Sequence, residues 1–140
     1  MKARIFKLGL SEWRILVEHL CRQLPDEACG LLAGRNGRGQ KVYRVENELH
    51  SPWEYRMEPK AQVRAMLEME AAGLELVGIF HSHPAGPPTP SAADVAQAYY
   101  PEAVYLICAP DENGEWRARG FKIEAGVAQE MLIMIEENQA

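Results

Sequence analysis

The chain contains little cysteine, and its three cysteines are widely spaced. Cys21, Cys29 and Cys108 form no CxxC pair. An odd number of isolated cysteines argues against a disulfide framework and against a zinc site built from thiolates. Reduced thiols, and hence a cytoplasmic protein, are the simplest interpretation. Cys29 could be a reactive thiol, but its run of small apolar neighbours favours a packed and inert side chain.

Long hydrophobic runs are also missing. No stretch approaches the roughly 18 apolar residues of a membrane-spanning helix, so we expect no membrane association. The amino terminus, MKARIFKLGLSEW, has basic residues but lacks the apolar core of a signal peptide. Excess positive charge is missing too, because the formal net charge is -5. This balance argues against nucleic acid as the main partner.

The remaining composition is that of an ordinary globular protein. The 140 residues are 47% hydrophobic and 25% charged. A chain of this length can bury a core of its own. No internal repeat or linker is present, and the only biased segment is the short proline-rich AGPPTP. We therefore expect residues 1–140 to form a single domain.

Apolar periodicity predicts two main helices. The first covers residues 11–24, with Ser11 as its N-cap and Pro25 as its stop. Its expected buried side chains are Trp13, Leu16, Val17, Leu20 and Leu24. The second covers residues 59–72, with a proline suited to its first position. Its expected inner side comprises Val63, Met66, Leu67 and Glu70.

Strand patterns account for most of the rest. They cover residues 29–34, 41–46, 75–80, 103–109 and 116–123. The turn-forming RNGRGQ joins the first two as a hairpin. The apolar tail at 127–137 fits a strand or one side of a helix, and we favour the strand. These elements predict an α/β fold, a single-domain sandwich with a central mixed β-sheet flanked by helices.

Two histidines at the end of a predicted strand are candidate metal ligands. His81 and His83 are two residues apart, so in an extended chain both imidazoles point to the same side. A catalytic zinc has three protein ligands and one open position, where bound water becomes acidic near pH ~7. Asp94, in the next short helix, is the natural third ligand if the proline-rich loop folds that helix back.

Two more residues could complete a hydrolytic site. Glu27 precedes a buried strand and is our candidate general base, since partial burial would raise its pKa. Ser91 could donate its hydroxyl to a developing oxyanion. Each motif also has a simpler interpretation. Ser91-x-x-Asp94 fits a capping box that only satisfies helix amides. His-x-His could be a solvated turn, and Glu27 could be a surface carboxylate.

Together these residues resemble the JAMM metalloprotease family, also called the MPN or JAB domain. The pattern is a glutamate, a distant His-x-His-Pro, a serine seven residues further on, and then x-x-Asp. Here it reads Glu27, HSHP at 81–84, AGPPTPS at 85–91 and Asp94. PDEACGLLAG at 25–34 also looks like the glutamate-bearing segment of the family. The joint pattern is far more specific than its parts.

The resemblance implies a short prokaryotic member with a cytidine-deaminase-like (JAB/MPN) architecture. It implies that His81, His83 and Asp94 hold one zinc ion, that Glu27 activates water on the metal, and that Ser91 supports the oxyanion. All five positions keep the family's residues, as in catalytic members. The implied reaction is cleavage of peptide or isopeptide bonds after the C-terminal diglycine of a ubiquitin-like or sulfur-carrier protein. The carrier tail would add as a strand near residues 50–57.

Other function classes fit the sequence less well. A deaminase needs His-x-Glu with Pro-Cys-x-x-Cys, and a thermolysin-like protease needs His-Glu-x-x-His. None of these motifs is in the sequence. The alternative that stays open is a non-catalytic MPN-type scaffold or interaction module. The sequence also leaves open which carrier is the substrate, whether the bond is linear or isopeptide, and whether a homodimer forms.

Overall fold

A computed structural model describes residues 5–138 and shows one mixed sheet with three helices packed around it. The strands are β1 (Ile5–Gly9), β2 (Cys29–Arg35), β3 (Arg38–Val45), β4 (Glu75–Ser82), β5 (Val104–Pro110), β6 (Trp116–Glu124) and β7 (Val127–Glu136). The helices are α1 (Leu10–Gln23), α2 (Pro59–Ala71) and α3 (Ala92–Ala96). The predicted α/β fold is confirmed. None of the helices within residues 5–138 has the length and apolar character needed to cross a bilayer.

The order of strands in the sheet is β1-β3-β2-β4-β5-β6-β7, and β1 also pairs with β7. Strand β2 is antiparallel to β3 and β4, whereas β4 is parallel to β5. The extra pairing of β1 closes the sheet into a barrel, which removes its terminal edges. No pattern in the sequence indicated β1 as a strand.

Helix α1 packs on one face of the sheet through leucines one turn apart. Leu16 and Leu20 are fully buried in the same cluster as Phe6 and Leu8 of β1. Burying each leucine contributes about 1.5–3 kcal/mol. Leu24 was predicted on this face but is 48% exposed. It follows the helix as the C-cap residue, in an extended conformation that leaves the helical face.

The start of α1 also differs from the prediction, because Ser11 is not the N-cap. The helix begins at Leu10, directly after β1, and Gly9 occupies the N-cap position. Ser11 lies inside the first turn, where its backbone nitrogen donates to Oδ1 of Asn138 at 2.8 Å. The prediction was wrong because β1 leads into the helix without a loop, and a residue from the distant end of the chain supplies the acceptor.

Helix α2 begins with Pro59 as predicted but turns another side inward. Ala65 and Met69 are its buried residues, whereas Val63 and Leu67 are 56% and 61% exposed. The predicted inner side was therefore wrong for Val63, Leu67 and Glu70, which are exposed, whereas Met66 does pack against the core. Ala65 and Met69 are four residues apart and lie on one face, and the small Ala65 side chain allows close approach to the sheet.

The remaining strands are confirmed, including the tail, which forms β7. The β2–β3 hairpin turns at Asn36 and Gly37, which both have positive φ angles. Gly30 in β2 is required by close packing, because a Cβ there would lie 2.3 Å from the ring of Phe80. The buried residues form two clusters, one on each face of the sheet, and β4 contributes Ile79 to one and Phe80 to the other.

Candidate metal and catalytic site

Strand β4 carries the two histidines to one end of the sheet. His81 lies within the strand and is 1% exposed, so it is not part of a solvated turn. The Nε2 atoms of His81 and His83 lie 3.0 Å apart, and the two rings are inclined at 68°. Two imidazole nitrogens therefore face the same small volume.

Helix α3 brings Asp94 to both histidines. Its Oδ1 lies 3.2 Å from Nε2 of His81, and its Oδ2 lies 3.2 Å from Nε2 of His83. Burial opposes ionisation of this carboxyl group, but its hydrogen bonds with the two histidines outweigh burial and hold the pKa of Asp94 well below its usual range. An ionised carboxylate thus meets both imidazoles.

Ser91 and Asp94 also form the capping box that their spacing allows. The backbone nitrogen of Ser91 donates to Oδ2 of Asp94 at 2.8 Å, and the backbone nitrogen of Asp94 donates to Oγ of Ser91 at 3.1 Å. The capping box is therefore confirmed, and the same carboxylate also meets the two histidines. The Ser91 hydroxyl only accepts in this box, so its proton stays available for donation.

Glu27 approaches the histidines from the start of β2. It is 4% exposed, which excludes the surface-carboxylate interpretation. One of its carboxylate oxygens and a ring nitrogen of each of His81 and His83 lie within 4.8 Å of one another, a set that could hold a metal ion. Burial raises the pKa of Glu27 to about 7; His83 opposes this shift, whereas the carboxylates of Asp94 and Glu54 add to it.

Two residues that the sequence analysis missed hold Glu27 in place. Ser82, between the histidines, accepts from the backbone nitrogen of Ala28 at 2.8 Å through its Oγ. Asn47 donates from Nδ2 to the carbonyl oxygen of Glu27 at 3.0 Å. Both side chains are buried. The available signal for Ser82 was its place between two histidines at the end of an apolar run, whereas nothing local marks Asn47.

Aromatic and carbonyl groups surround the histidine rings. His83 donates from Nδ1 to the carbonyl oxygen of Pro87 at 2.7 Å, which leaves the Nε2 lone pair free for a metal. The ring of Tyr55 stacks on His81 with centroids 4.5 Å apart. Burial lowers the pKa of His81, which favours the neutral form that binds metal.

The donor set fits a zinc ion. Two imidazole nitrogens and a carboxylate oxygen are ligands that zinc prefers, and with bonds of 2.0–2.1 Å tetrahedral donors are about 3.3 Å apart. Here the two imidazole nitrogens lie 3.0 Å apart, and each lies 3.2 Å from a different oxygen of Asp94. Whichever oxygen binds, its distance to one imidazole and the distance between the imidazoles are within a few tenths of an ångström of that spacing.

Cys29 is the inert cysteine that its surroundings predicted. Its thiol donates to the carbonyl oxygen of Val45 at 3.4 Å, and burial raises its pKa to about 12. A thiol that stays protonated at neutral pH is a poor nucleophile. Cys29 is therefore not a candidate nucleophile of this site.

Comparison with known proteins agrees with this site. A family model described as prokaryotic homologs of the JAB domain matches residues 11–121, and the chain belongs to this family. The predicted resemblance and the JAB architecture are thereby confirmed. The chain is 42% identical over 110 residues to a desampylase of Pyrococcus furiosus, covering 79% of this chain and 76% of that protein.

A second relative and a solved structure extend the similarity. A CysO-cysteine peptidase of Mycobacterium tuberculosis is 34% identical over 124 residues, covering 87% of this chain and 85% of the relative. The solution structure of a protein from Desulfitobacterium hafniense superposes with a TM-score of 0.85 at 35% identity, covering 96% of this chain and 94% of that one. The relatives named here are peptidases or desampylases, in agreement with the predicted hydrolase class.

Proposed function

We propose that this chain is a zinc-dependent hydrolase that cleaves peptide or isopeptide bonds after the C-terminal diglycine of a ubiquitin-like or sulfur-carrier protein. The observation that carries the proposal is the meeting of His81, His83 and Asp94 beside the buried Glu27. Burying two carboxyl groups is costly, and such clusters are typical of functional sites. The similarity to a desampylase and to a CysO-cysteine peptidase supports this substrate class.

The zinc would be held by His81, His83 and Asp94. Asp94 is the better third ligand because its two oxygens reach both Nε2 atoms at 3.2 Å, whereas Glu27 belongs to a looser group spanning up to 4.8 Å. When bound, zinc supplies Lewis-acid polarisation of water and of the substrate carbonyl. The rest of the reaction falls to residues of the chain.

Glu27 moves the proton. Its carboxylate accepts a proton from the attacking water and returns it to the nitrogen of the departing amine, so the peptide bond breaks with no net change in the enzyme. A carboxyl group whose pKa is about 7 can both accept the proton from water and give it to the amine. Burial raises the pKa of Glu27 to about 7. Ser91 is proposed to donate its hydroxyl proton to the oxyanion.

The carrier tail is proposed to bind beside Tyr55 and Met57. The backbone nitrogen of Glu48 donates to the carbonyl oxygen of Arg56, and the backbone nitrogen of Glu58 donates to the carbonyl oxygen of Glu46, both at 2.9 Å. Alternate residues of an extended chain direct their backbone groups to opposite sides. The backbone groups of Tyr55 and Met57 therefore point away from the segment at residues 46–48. On that open side an extended tail could add as a strand.

A cavity of about 150 Å³ opens beside this edge. Its apolar and aromatic lining includes Tyr55, Met57, Ile79, Tyr100 and Tyr105. It would receive a side chain of the tail, while the flexible diglycine reaches the histidines. A larger cavity of about 760 Å³ includes Glu75, at the other end of β4 from His81, and contains no residue of the candidate site.

Domain and location complete the proposal. We propose that residues 1–140 act as one domain in the cytoplasm, with one zinc per chain. The substrate is the proposed partner, and neither nucleic acid nor membrane is expected to bind.

The test is zinc content and cleavage in protein purified without chelators or a metal-binding tag. We expect about one zinc per chain and release of the appended residue from a carrier fusion ending in diglycine. Glu27→Gln should retain zinc and lose cleavage. Asp26→Asn, the neighbouring carboxyl group, is the matched control and should cleave normally.

The scaffold alternative gives a different result. A scaffold would bind the carrier equally well in the wild type and in Glu27→Gln, and would cleave it under no metal condition. Folded protein that holds no zinc after metal is added would overturn the hydrolase proposal.

A further inference from the structure

The two histidines are supported in different ways. His83 has the outer hydrogen bond that metal-bound histidines usually make, through Nδ1 to Pro87 at 2.7 Å. Nδ1 of His81 is buried and has no hydrogen-bond partner within residues 5–138. Because His81 lacks this outer hydrogen bond, other contacts have to help fix the orientation of its ring.

Tyr55 makes such a contact. Its ring lies 4.5 Å from the His81 ring, centroid to centroid, at an interplanar angle of 25°, which is stacked geometry. The His83 ring meets the same imidazole at 4.7 Å and 68°. We propose that Tyr55 is a positioning residue for the metal site, whose stacked ring replaces the missing hydrogen bond in orienting His81. This proposal rests on the zinc binding proposed above.

Tyr55 is itself held from both sides by one buried side chain. Asn47 donates from Nδ2 to the carbonyl oxygen of Glu54 at 3.1 Å and accepts at Oδ1 from the backbone nitrogen of Arg56 at 3.1 Å. The same Nδ2 donates to the carbonyl oxygen of Glu27. Asn47 therefore fixes the stacked ring relative to the proposed base.

The stacked Tyr55 ring acts by fixing the direction of the His81 Nε2 lone pair. The Nε2 lone pair lies in the plane of the imidazole, so tilting the ring turns it away from the metal. A flat ring against the imidazole face resists tilting, and the Tyr55 hydroxyl contributes nothing to that resistance. A phenylalanine should therefore serve as well as tyrosine, whereas an aliphatic side chain should not.

Zinc affinity of the full-length chain, measured by competition with a chromophoric chelator, tests the proposal. Tyr55→Leu should bind zinc at least about tenfold more weakly than the wild type, the usual loss for an outer contact of a ligand. Tyr55→Phe should stay close to the wild type. Tyr43→Leu is the matched control, because Tyr43 is a buried tyrosine of the same core cluster whose hydroxyl has no partner within residues 5–138.

A metal-free readout separates this proposal from the proposed function. In the apo protein, Tyr55→Leu should shift the carbon-bound ring protons of His81 through loss of the Tyr55 ring current, and Tyr43→Leu should leave them unchanged. Folded Tyr55→Leu with wild-type zinc affinity, or an equal loss in Tyr55→Phe, would overturn the positioning role alone. A wild type that binds no zinc would overturn both proposals.

Discussion

Ser82, the last residue of β4, and Ala28, the residue just before β2, are joined by two hydrogen bonds. Oγ of Ser82 accepts from the backbone nitrogen of Ala28 at 2.8 Å, and the backbone nitrogen of Ser82 donates to the carbonyl oxygen of Ala28 at 3.0 Å. Ser82 lies between the two histidines, and Ala28 follows Glu27. This pair therefore sets the distance between the proposed base and the metal ligands.

Ser82→Ala should lower kcat more than it changes KM. The buried Ala28 nitrogen would lose its acceptor, which costs about 1–3 kcal/mol of stability. A shift of about 1 Å in Glu27 can reduce the rate about 100-fold. Steady-state kinetics with a carrier fusion, and thermal unfolding, measure both effects. Ser11→Ala, the same change on the exposed side of α1, is the control; wild-type kcat in Ser82→Ala would contradict the positioning role.

Met57→Ala should raise KM for a carrier fusion and leave kcat nearly unchanged. Met57 lines the cavity beside the proposed edge and makes none of the contacts among His81, His83 and Asp94. Its loss removes apolar contact with the tail in the ground state and the transition state alike. Leu67→Ala, on the exposed side of α2, should match the wild type. Unchanged KM in Met57→Ala would count against this groove.

His19 should contribute a loss of stability to the zinc-free protein as pH drops below about 6.5, the ordinary pKa of histidine. Burial lowers the pKa of His19, and its Nε2 donates to the carbonyl oxygen of Cys29 at 3.0 Å. The unfolded chain takes up the proton first, so the stabilising contribution is complete above the ordinary pKa and is lost as pH falls through the lowered one.

Denaturant titrations at pH 7.5 and 5.5 check this prediction in chelator-treated protein. Between these two pH values, His19→Gln should lose less stability, or gain more, than the wild type. His50→Gln, an exposed histidine, should show the same change as the wild type. Equal changes in the wild type and His19→Gln would show that His19 does not contribute.

Leu20→Ala should destabilise the fold by about 2–5 kcal/mol, because it leaves a cavity in a fully packed cluster. Leu24→Ala changes the same residue type at the exposed end of the helix and should cost no more than about 0.5 kcal/mol. Urea unfolding of both variants gives the comparison. Similar costs would mean that the two leucines are equally buried, in conflict with the packing described above.

Much of the fold followed from local pattern. The hairpin, the strand that carries His81, and both long helices were predicted, since each is marked by its own residues and turns. Most of the inner side of α2 was not predicted correctly. Val63 and Leu67 are apolar, but apolar character alone does not show which side of a helix the sheet covers. Strand β1 was not predicted. It has only five residues, and its pairing with β3 on one side and β7 on the other depends on distant parts of the chain.

The sequence by itself determined the chemical groups of the site. Glu27, His81, His83, Ser91 and Asp94 form a pattern specific enough to indicate the family, and the spacing of the two histidines already implied a shared side. Their types suit the proposed metal-assisted hydrolysis, so they can be recognised without a structure.

Only the tertiary structure decided how those groups are held. The burial of Glu27, the Ser82–Ala28 pair, the hydrogen bonds of Asn47 and the stack of Tyr55 on His81 all join residues from different elements. Such contacts depend on strand register and on the path of a loop, which are set by packing across the whole chain. Local patterns extend over a few residues, so they name the reactive groups but not the neighbours that orient them.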